Sequence, residues 1–407
     1  MLKSLHKSPS LRAAIAFGLG GAAFAGGNLI FARILSSYEY GLLSLVIGVI
    51  QVAGFSAPLG LDYLIARRGW TFGPRLRRTV LLASTLVGLG TFFVTMELYH
   101  LKVSLLIPTF VATAAMGISQ AVAAHFQSQQ QFGLSVPFVQ ASNWLLLLIA
   151  AIAALCSMTS ATLPSDLIAL TGLMTAAVGW LMVKKRTAEN APQPALAPLW
   201  GEAISLMTIN VASSVLLQLE RLIIPVVIGI EDLALFGVAA ALVGSPFRML
   251  QHAVTFTVVP RLRDASSIAE RRRLLRHEFL VCGIVMGPAA LVIWQVAPWL
   301  AHWLLGGRYD LSTALIVAMI VSGLLKVLSA FGTSVVSALA PDKGLRLLSA
   351  GSWVCIALAV GVAFVLRPWG LVGVIYAISV GWLVRIVVAF WISLPHLRAT
   401  GEADASP

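Results

Sequence analysis

Five basic residues lie inside long apolar runs of the 407-residue sequence: Arg33, Arg221, Arg248, Lys326 and Arg385. An ionisable side chain in hydrocarbon costs several kcal/mol unless it faces a water-filled cavity or a partner. Two acidic residues, Asp62 and Glu220, lie in comparable positions, so the charge within these runs is net positive. Guanidinium and ammonium groups bind phosphate oxygens strongly. The sequence therefore predicts a cavity that suits an anionic group such as a phosphate or diphosphate.

Polar residues accompany these charges at the spacing of an α-helix. One set of five recurs every three or four residues and therefore shares one helical face: Ser322, Lys326, Ser329, Thr333 and Ser337. Three more sets also follow helical spacing: Asn210, Ser214, Gln218 and Arg221; Ser245, Arg248, His252 and Thr255; and Ser44, Gln51 and Asp62. Helices that are polar on one face and apolar elsewhere surround a wet cavity. We expect eight residues to line a substrate-binding cavity: Arg33, Gln51, Asn210, Gln218, Arg221, Arg248, His252 and Lys326.

Three other charged residues are assigned to coupling or gating: Asp62, Glu220 and Arg385. Several of these charges also have a structural explanation, which the sequence leaves open. Arg33 and Arg385 can extend to the membrane surface, because a long side chain keeps its charge in water while its stem lies in hydrocarbon. Asp62 can pair with Arg67 or Arg68, which follow it closely.

Patterns typical of catalysis or cofactor binding are missing from the sequence. It has no P-loop, no Rossmann glycine fingerprint, no His-Glu-x-x-His and no Gly-x-Ser-x-Gly elbow. The seven histidines are scattered, and Cys156, Cys282 and Cys355 lie in or beside apolar runs without paired spacing. We therefore expect no enzymatic activity, no catalytic residue, no cofactor and no metal site.

The charged residues must be positioned by membrane-spanning helices, because the chain is too apolar for a soluble protein. It is 59% hydrophobic and 11% charged, with a mean hydropathy of +0.92, whereas soluble proteins carry about 25% charged residues. The apolar content is enough for about twelve spans of roughly twenty residues each. We predict an all-α integral membrane protein with about twelve transmembrane helices.

The distribution of basic residues predicts the orientation of these helices. Of the 28 lysines and arginines, twenty lie in alternate loops and at the termini, whereas the intervening loops hold Lys102, Arg308 and Arg367. This is the positive-inside pattern, so both termini and the basic loops should be cytoplasmic. The net charge of +12 then reflects topology, with some attraction to anionic lipid headgroups, and not binding to nucleic acid.

The apolar runs predict spans at about 11–35, 41–65, 79–98, 101–124, 136–158, 163–183, 200–229, 232–259, 279–296, 312–338, 345–365 and 371–392. The first run imitates a secretory signal, but it is long enough to span, and we expect it to be retained. Residues 266–279, SSIAERRRLLRHEF, have the charge and leucine spacing of an interfacial amphipathic helix. Trp299 and Trp303, four residues apart after the ninth span, are typical of a membrane interface.

A long-range repeat predicts the domain organisation. Residues 29–68 and 222–261 share an apolar exit, a short polar turn, a second long run and a terminal arginine. A repeat distance of roughly 190 residues is too long for a solenoid unit and suits two duplicated halves. Between them, KKRTAENAPQPALAP has the composition of a flexible linker. We predict an N-terminal six-helix lobe (1–183), a cytoplasmic linker (184–199), a C-terminal six-helix lobe (200–394) and a cytoplasmic tail (395–407).

The first hairpin, residues 31–68, reads FARILSSYEYGLLSLVIGVIQVAGFSAPLGLDYLIARR. It resembles the opening of Wzx-type polysaccharide flippases, which belong to the multidrug/oligosaccharidyl-lipid/polysaccharide exporter superfamily. Further similar segments are LQLERLIIPVVIGIEDLALFG (217–237), LLGGRYDL (304–311) and WGLVGVIYAISV (369–380). The resemblance covers nearly the whole chain. Glu220 stands where many relatives have an aspartate, and the two extra C-terminal spans of the lipid II flippase branch are missing, which argues against a peptidoglycan precursor as substrate.

The resemblance implies two pseudo-symmetric six-helix lobes around a central cavity and transport by alternating access. The implied substrate is a polyprenyl-diphosphate-linked oligosaccharide, moved from the cytoplasmic to the outer leaflet of the bacterial inner membrane for surface or exopolysaccharide synthesis. Cationic cavity residues would hold the diphosphate while the lipid tail stays in the bilayer. The implied partners are this lipid-linked substrate, membrane lipids, and a polysaccharide polymerase and glycosyltransferases of the same pathway.

Two other functions stay open at this point. A multidrug or cation antiporter of the same superfamily would need buried carboxylates for its cationic substrates, whereas the charge within the spans here is net positive. A membrane-embedded glycan polymerase or ligase would need a large external loop that carries its reactive residues. The predicted outer loops are short and hold three basic residues in total.

Overall fold

The computed structural model describes residues 9–68, 70, 72–186 and 200–397. Most of the predicted linker (187–199) and of the predicted tail (398–407) lies outside the described residues. The described chain is helical, without a β-strand. Its α-helices are α1 (Pro9–Ile34), α2 (Ser37–Ser56), α3 (Leu61–Arg68), α4 (Pro74–Tyr99), α5 (Val103–Ser128), α6 (Phe132–Leu155), α7 (Thr162–Arg186), α8 (Trp200–Val227), α9 (Ile230–Ala239), α10 (Ser245–Asp264), α11 (Ile268–Leu305), α12 (Thr313–Leu339), α13 (Asp342–Val365) and α14 (Gly370–Leu397).

Twelve helical segments of the described chain are long and apolar enough to cross a membrane. Ten lie within single α-helices. The eighth joins α9, a π-helical turn at Ala240–Gly244 and α10 into one span, Ile230–Asp264, and the twelfth joins a 3-10 turn at Arg367–Trp369 to α14 as Arg367–Leu397. The short helix α3 is not among them. The predicted fold class, an all-α integral membrane protein with about twelve transmembrane helices, is confirmed.

The second span ends earlier than the sequence pattern predicted. Helix α2 stops at Ser56, because Leu59 and Gly60 take left-handed backbone conformations with φ of 52° and 80°. A β carbon on Gly60 would lie 2.0 Å from the carbonyl oxygen of Ala203, so this turn requires glycine. Asp62 therefore belongs to α3. The predicted common stripe of Ser44, Gln51 and Asp62 on one helix is wrong.

The basic segment at residues 266–279 is not a separate interfacial helix, which corrects that expectation. Nearly all of it forms the first turns of α11, a single helix of 38 residues. At 1.5 Å per residue α11 is about 57 Å long, whereas the hydrocarbon core of a bilayer is about 30 Å thick. Leu274 and Leu275 pack against the hydrophobic core of this part of the chain, so the extension is held by the fold itself.

Contacts divide the chain into two compact units. The first comprises residues up to Ala241 together with Ala301–Asp310, and the second comprises Leu242–Leu300 and the chain from Leu311 onwards. Leu64, Phe72, Val122 and Phe126 belong to the core of the first unit, and Phe247, Val258, Phe331 and Val335 belong to that of the second. Because α8 and α9 pack against α2, they group with the first unit. The predicted lobes, 1–183 and 200–394, stay a prediction.

Arginine side chains complete several helix ends. The last carbonyls of a helix have no partner within that helix, and a cation near them is favoured by the helix dipole. Four arginines donate hydrogen bonds to such carbonyls: Arg263 to Ser337, Arg271 to Ala265, Arg272 to Leu397 and Arg308 to Leu35. These basic residues therefore help to fix the helices in addition to any role in topology.

Candidate functional site

Helices α12 and α14 bring two cations to one aromatic ring in the second unit. The ammonium nitrogen of Lys326 lies 5.9 Å from the ring centre of Trp382, and the guanidinium carbon of Arg385 lies 5.4 Å from it. Both distances are within the range of cation–π attraction. Trp382 is fully buried and Arg385 is 6% exposed, whereas Lys326 is half-buried. We call Lys326, Trp382 and Arg385 the cation–tryptophan cluster.

The direction of Lys326 follows from how α12 packs. A β carbon on Gly323 would lie 2.6 Å from the ring of Phe247 on α10, and one on Gly332 would lie 2.9 Å from the β carbon of Ala389 on α14. These glycines are nine residues apart, about two and a half turns, so α10 and α14 contact opposite faces of α12. Lys326 falls between those faces.

The polar stripe predicted on α12 lies on that same intermediate side, and all five of its residues are on this one helix. Ser322 and Ser329 are buried.

The chemistry around this cluster is dominated by hydrogen-bond donors. An ammonium, a guanidinium and an indole N–H can donate but cannot accept. The indole Nε1 of Trp382 and the hydroxyl of Ser322 are buried, and neither has a hydrogen-bond partner in the described part of the chain. The sequences of α12 and α14 contain no aspartate or glutamate. This arrangement favours an anion with several acceptor oxygens.

Sequence reasoning predicted Lys326 and Arg385 but missed Trp382. A tryptophan is expected at the membrane interface, yet Trp382 lies near the middle of a span and three residues before Arg385. This unusual position, in the middle of a span and close to a cation, was the feature of the sequence that could have identified Trp382 as a site residue. The contact with Lys326, 56 residues earlier in the chain, depends on tertiary packing and could not be read from spacing.

Arg248 and His252 lie one turn apart on α10, as the helical spacing predicted. Arg248 is half-buried and His252 is exposed. Helix α10 packs against α12, with Phe247 beside Gly323 at the contact. Both residues are therefore on a neighbour of the helix that carries Lys326, although neither belongs to the cation–tryptophan cluster.

In the first unit, two of the three predicted amides come together. The side-chain amide of Gln218 on α8 donates a hydrogen bond to the side-chain oxygen of Gln51 on α2. The oxygen Oε1 of Gln218 is buried and has no further partner among the described residues. Asn210 instead donates to the carbonyl oxygen of Leu206 on its own helix, at 2.8 Å. The pair therefore keeps one acceptor and donor hydrogens for another polar group.

Arg221 and Glu220 are enclosed in the first unit, with exposures of 1% and 2%. The guanidinium carbon of Arg221 lies 5.0 Å from the ring centre of Phe24 on α1. Its side chain also crosses α2 at Gly48, where an added β carbon would lie 2.9 Å from the β carbon of Arg221. In this conformation Arg221 packs against protein, so its predicted contact with substrate requires a rearrangement.

Arg33 lies at the end of α1, and Asp62 lies in α3, after the turn that ends α2. Arg33 is exposed in the last turn of α1. Asp62 is 7% exposed, and its Oδ1 has no hydrogen-bond partner in the part of the chain that is described. Burial raises the pKa of Asp62 to about 7. A hydrogen bond from the backbone N–H of Tyr63 lowers this pKa, but its effect is smaller than that of burial. Arg68, one of its two predicted partners, lies over the ring of Trp70 at 5.9 Å.

The described residues contain no group of three or more histidine, cysteine, aspartate or glutamate side chains that could hold a metal ion. Cys282 and Cys355 are buried, and Cys156 is exposed.

The twelve spans define a multi-pass membrane protein, and solved structures define its fold as that of MOP-superfamily transporters. A multidrug resistance MATE family transporter in an inward-facing conformation is similar with a TM-score of 0.65 and 14% identity, over 96% of each chain. The lipid II flippase MurJ is similar with a TM-score of 0.69 and 10% identity, over 95% of this chain and 91% of that one.

A MOP-superfamily transporter from Pyrococcus furiosus, described as having a binding pocket of reverse polarity, has a TM-score of 0.55 and 13% identity, over 97% of both chains. At these identities the likeness concerns the fold. The chain belongs to the polysaccharide biosynthesis protein family, whose model matches residues 30–314. It matches no curated protein. The resemblance to polysaccharide flippases of this superfamily is confirmed.

Proposed function

We propose that the protein transports a polyprenyl-diphosphate-linked oligosaccharide from the cytoplasmic to the outer leaflet of a bacterial inner membrane. The product would serve surface or exopolysaccharide synthesis, and the transport would use alternating access without covalent chemistry. Family membership supports polysaccharide biosynthesis as the setting. The cation–tryptophan cluster of α12 and α14 carries the proposal, because its chemistry matches the diphosphate.

A diphosphate cannot cross the membrane unaided. An isolated charge moved into hydrocarbon loses its hydration at a cost of many kcal/mol, and the hydrocarbon layer is about 30 Å thick. A protein offsets this cost when it supplies donors in place of water. Lys326 and Arg385 offer positive charge on one side of α12, and the indole N–H of Trp382 is a further buried donor.

The sugar part of the substrate needs different partners, since hydroxyl groups both donate and accept hydrogen bonds. The Gln51–Gln218 pair of the first unit has both capacities. We assign it to the oligosaccharide. Arg33, Asn210, Arg221, Arg248 and His252 stay predicted cavity residues.

The sequence pattern places Arg385 with Asp62 and Glu220 among the residues predicted for coupling or gating. Its place beside Trp382, with Lys326 on the same ring, supports a ligand-binding role instead. Asp62 and Glu220 keep the coupling or gating assignment. Each is a buried carboxyl in the first unit.

The proposal is tested with purified protein in liposomes that contain a fluorescent polyprenyl-diphosphate oligosaccharide. An impermeant reductant quenches the outer label, so the quenched fraction reports movement between leaflets. Lys326→Met should slow this movement about tenfold or more, since one hydrogen bond to a charged group contributes about 1.5–3 kcal/mol. Lys326→Arg should retain most of the activity.

Lys343→Gln is the matched control, because it removes an exposed cation at the start of the neighbouring helix α13. Equal rates for wild type and a correctly folded Lys326→Met would refute the assignment of the cluster. Normal glycan display in a deletion strain that has become sensitive to cationic drugs would instead support the multidrug antiporter. Glycan polymerisation or ligation by the purified protein would support an enzyme.

A further inference from the structure

Helix α11 is the least covered span of the described chain. Only 11% of its most apolar stretch is buried, against 56% for α12. One face packs on the core through Cys282 and Met286. The opposite face points away from the protein and includes Ile284, which is 72% exposed. Something outside this chain must therefore cover that face within a membrane.

The outward face has a basic end followed by a notch. Arg273 and Arg276 are both exposed. Gly283 follows Arg276 after seven residues, about 10 Å along the axis, and Gly287 comes one turn later. A β carbon on either glycine would meet no described atom within 4 Å. At about 100° per residue, these four residues fall within a sector of about 80°.

The opposite end of α11 carries exposed tryptophans, Trp299 and Trp303. Trp299 lies 23 residues beyond Arg276, about 35 Å along the helix, and the hydrocarbon core is about 30 Å thick. Tryptophan favours the boundary between headgroups and hydrocarbon. The arginines thus lie near one boundary of the bilayer and the tryptophans near the other.

The charges on α11 select what covers the face. Glu278 pairs with Arg261, and Glu270 accepts hydrogen bonds from Ser266. By helical angle both carboxylates lie outside the sector of the arginines and glycines. A second copy packed in parallel on this face would place arginine against arginine, which is unfavourable. An anionic headgroup has the complementary charge.

We propose that the outward face of α11 binds an anionic phospholipid, with its phosphate on Arg273 and Arg276 and an acyl chain in the notch at Gly283 and Gly287. The charge of the arginines selects the headgroup, and the missing side chains provide room for the chain. This site is independent of the transported substrate. It would tie the second unit to the anionic lipid content of the membrane.

Native mass spectrometry of the full chain in detergent tests the site, with phosphatidylglycerol, phosphatidylcholine and glycerol phosphate as separate probes. The wild type should retain phosphatidylglycerol in preference to phosphatidylcholine. Arg273→Gln with Arg276→Gln should reduce that retention about tenfold or more, since each basic residue contributes about 1 kcal/mol at an anionic surface. Gly283→Ile with Gly287→Ile should reduce retention of both lipids.

The matched control is Lys184→Gln with Lys185→Gln, which removes two exposed cations at the end of α7. This variant should retain phosphatidylglycerol as the wild type does. Equal retention of the two lipids by the wild type would overturn the proposal, as would equally strong binding of glycerol phosphate. A dimer that the glycine substitutions dissociate would also overturn it, in favour of a second copy. Melting temperatures identify any variant that fails to fold.

Discussion

The cation–tryptophan cluster makes a quantitative prediction about the second unit. Lys326→Met keeps a side chain of similar length and removes the charge, and Trp382→Leu removes the ring. Trp382 is completely buried, so its replacement by leucine also leaves a cavity, and truncation of a buried tryptophan as far as alanine costs about 3–5 kcal/mol. The single variant therefore cannot isolate the attraction between ring and ammonium, whereas a double-mutant cycle can.

The expected coupling follows from the geometry. A cation within about 6 Å of a ring centre contributes about 0.5–1 kcal/mol in water and about 2 kcal/mol when desolvated. The distance here is 5.9 Å, and the ring is buried while Lys326 is half-buried. We therefore expect a coupling energy of about 1 kcal/mol between Lys326 and Trp382. Trp382→Phe should keep part of it, because a phenyl ring binds cations more weakly than an indole.

The free energy of unfolding is measured in mixed micelles for the wild type, Lys326→Met, Trp382→Leu and the double variant. Far-ultraviolet circular dichroism monitors the unfolding. Lys343→Gln combined with Trp382→Leu is the control cycle, and its coupling should be close to zero. A Lys326–Trp382 coupling below about 0.3 kcal/mol lies within the error of additive sites. That result would refute the view that the ring and the cation act together.

Three further substitutions test features of the first unit. Gly60→Ala should destabilise the fold by more than about 1–2 kcal/mol, which is the cost of a left-handed backbone for a residue other than glycine. The added methyl group would in addition clash with the carbonyl oxygen of Ala203. Thermal unfolding measures the loss of stability. Arg308→Gln should cost about 1 kcal/mol in the same assay, because the carbonyl of Leu35 loses a charged donor. The pKa of Asp62 is about 7 in the folded state, above the ordinary value of 3.8. Between these two values the folded state keeps a proton that the unfolded state has lost. The free energy of unfolding should therefore fall as the pH rises from about 4 to about 7. Asp62→Asn should abolish that slope, which unfolding at pH 5 and pH 8 would reveal.

Each of these substitutions has a matched control. Gly90→Ala lies inside α4 with no atom within 4 Å of the added methyl, so stability should stay equal or rise slightly. Arg367→Gln removes an exposed cation from a short turn and should have little effect. Asp310→Asn, at an exposed position, should reproduce the wild-type pH profile. A control that matches its test variant would contradict the corresponding explanation.

Much of the architecture follows from hydropathy alone, because a bilayer requires each span to satisfy its own backbone hydrogen bonds as a helix. The twelve spans and the stripe around Lys326 were predictable for that reason. The end of α2 was harder to place. The apolar character continues through Pro58 to Ile65, and only the left-handed turn at Leu59 and Gly60 interrupts the helix.

Tertiary contacts account for the remaining differences. The local sequence of residues 266–279 does not distinguish a separate interfacial helix from the first turns of α11. Which of the two forms depends on the packing of Leu274 and Leu275 against the core. Arg221 has the spacing of a cavity residue, yet Gly48 lets it pack against α2. The helical period indicates which residues share a face, whereas the neighbour that covers the face is decided by packing.

The arginines that close helix ends have a consequence for the continuity of the chain. Arg263 joins the end of α10 to the end of α12, and Arg272 joins the start of α11 to the end of α14. These side chains link helices that are far apart in sequence, at the level where the connecting loops run. If a protease cleaved the loop between Asp264 and Ile268, α10 and α11 would therefore remain hydrogen-bonded to their neighbours α12 and α14. The second unit should remain assembled from two fragments, much as a split protein does when its pieces are expressed together.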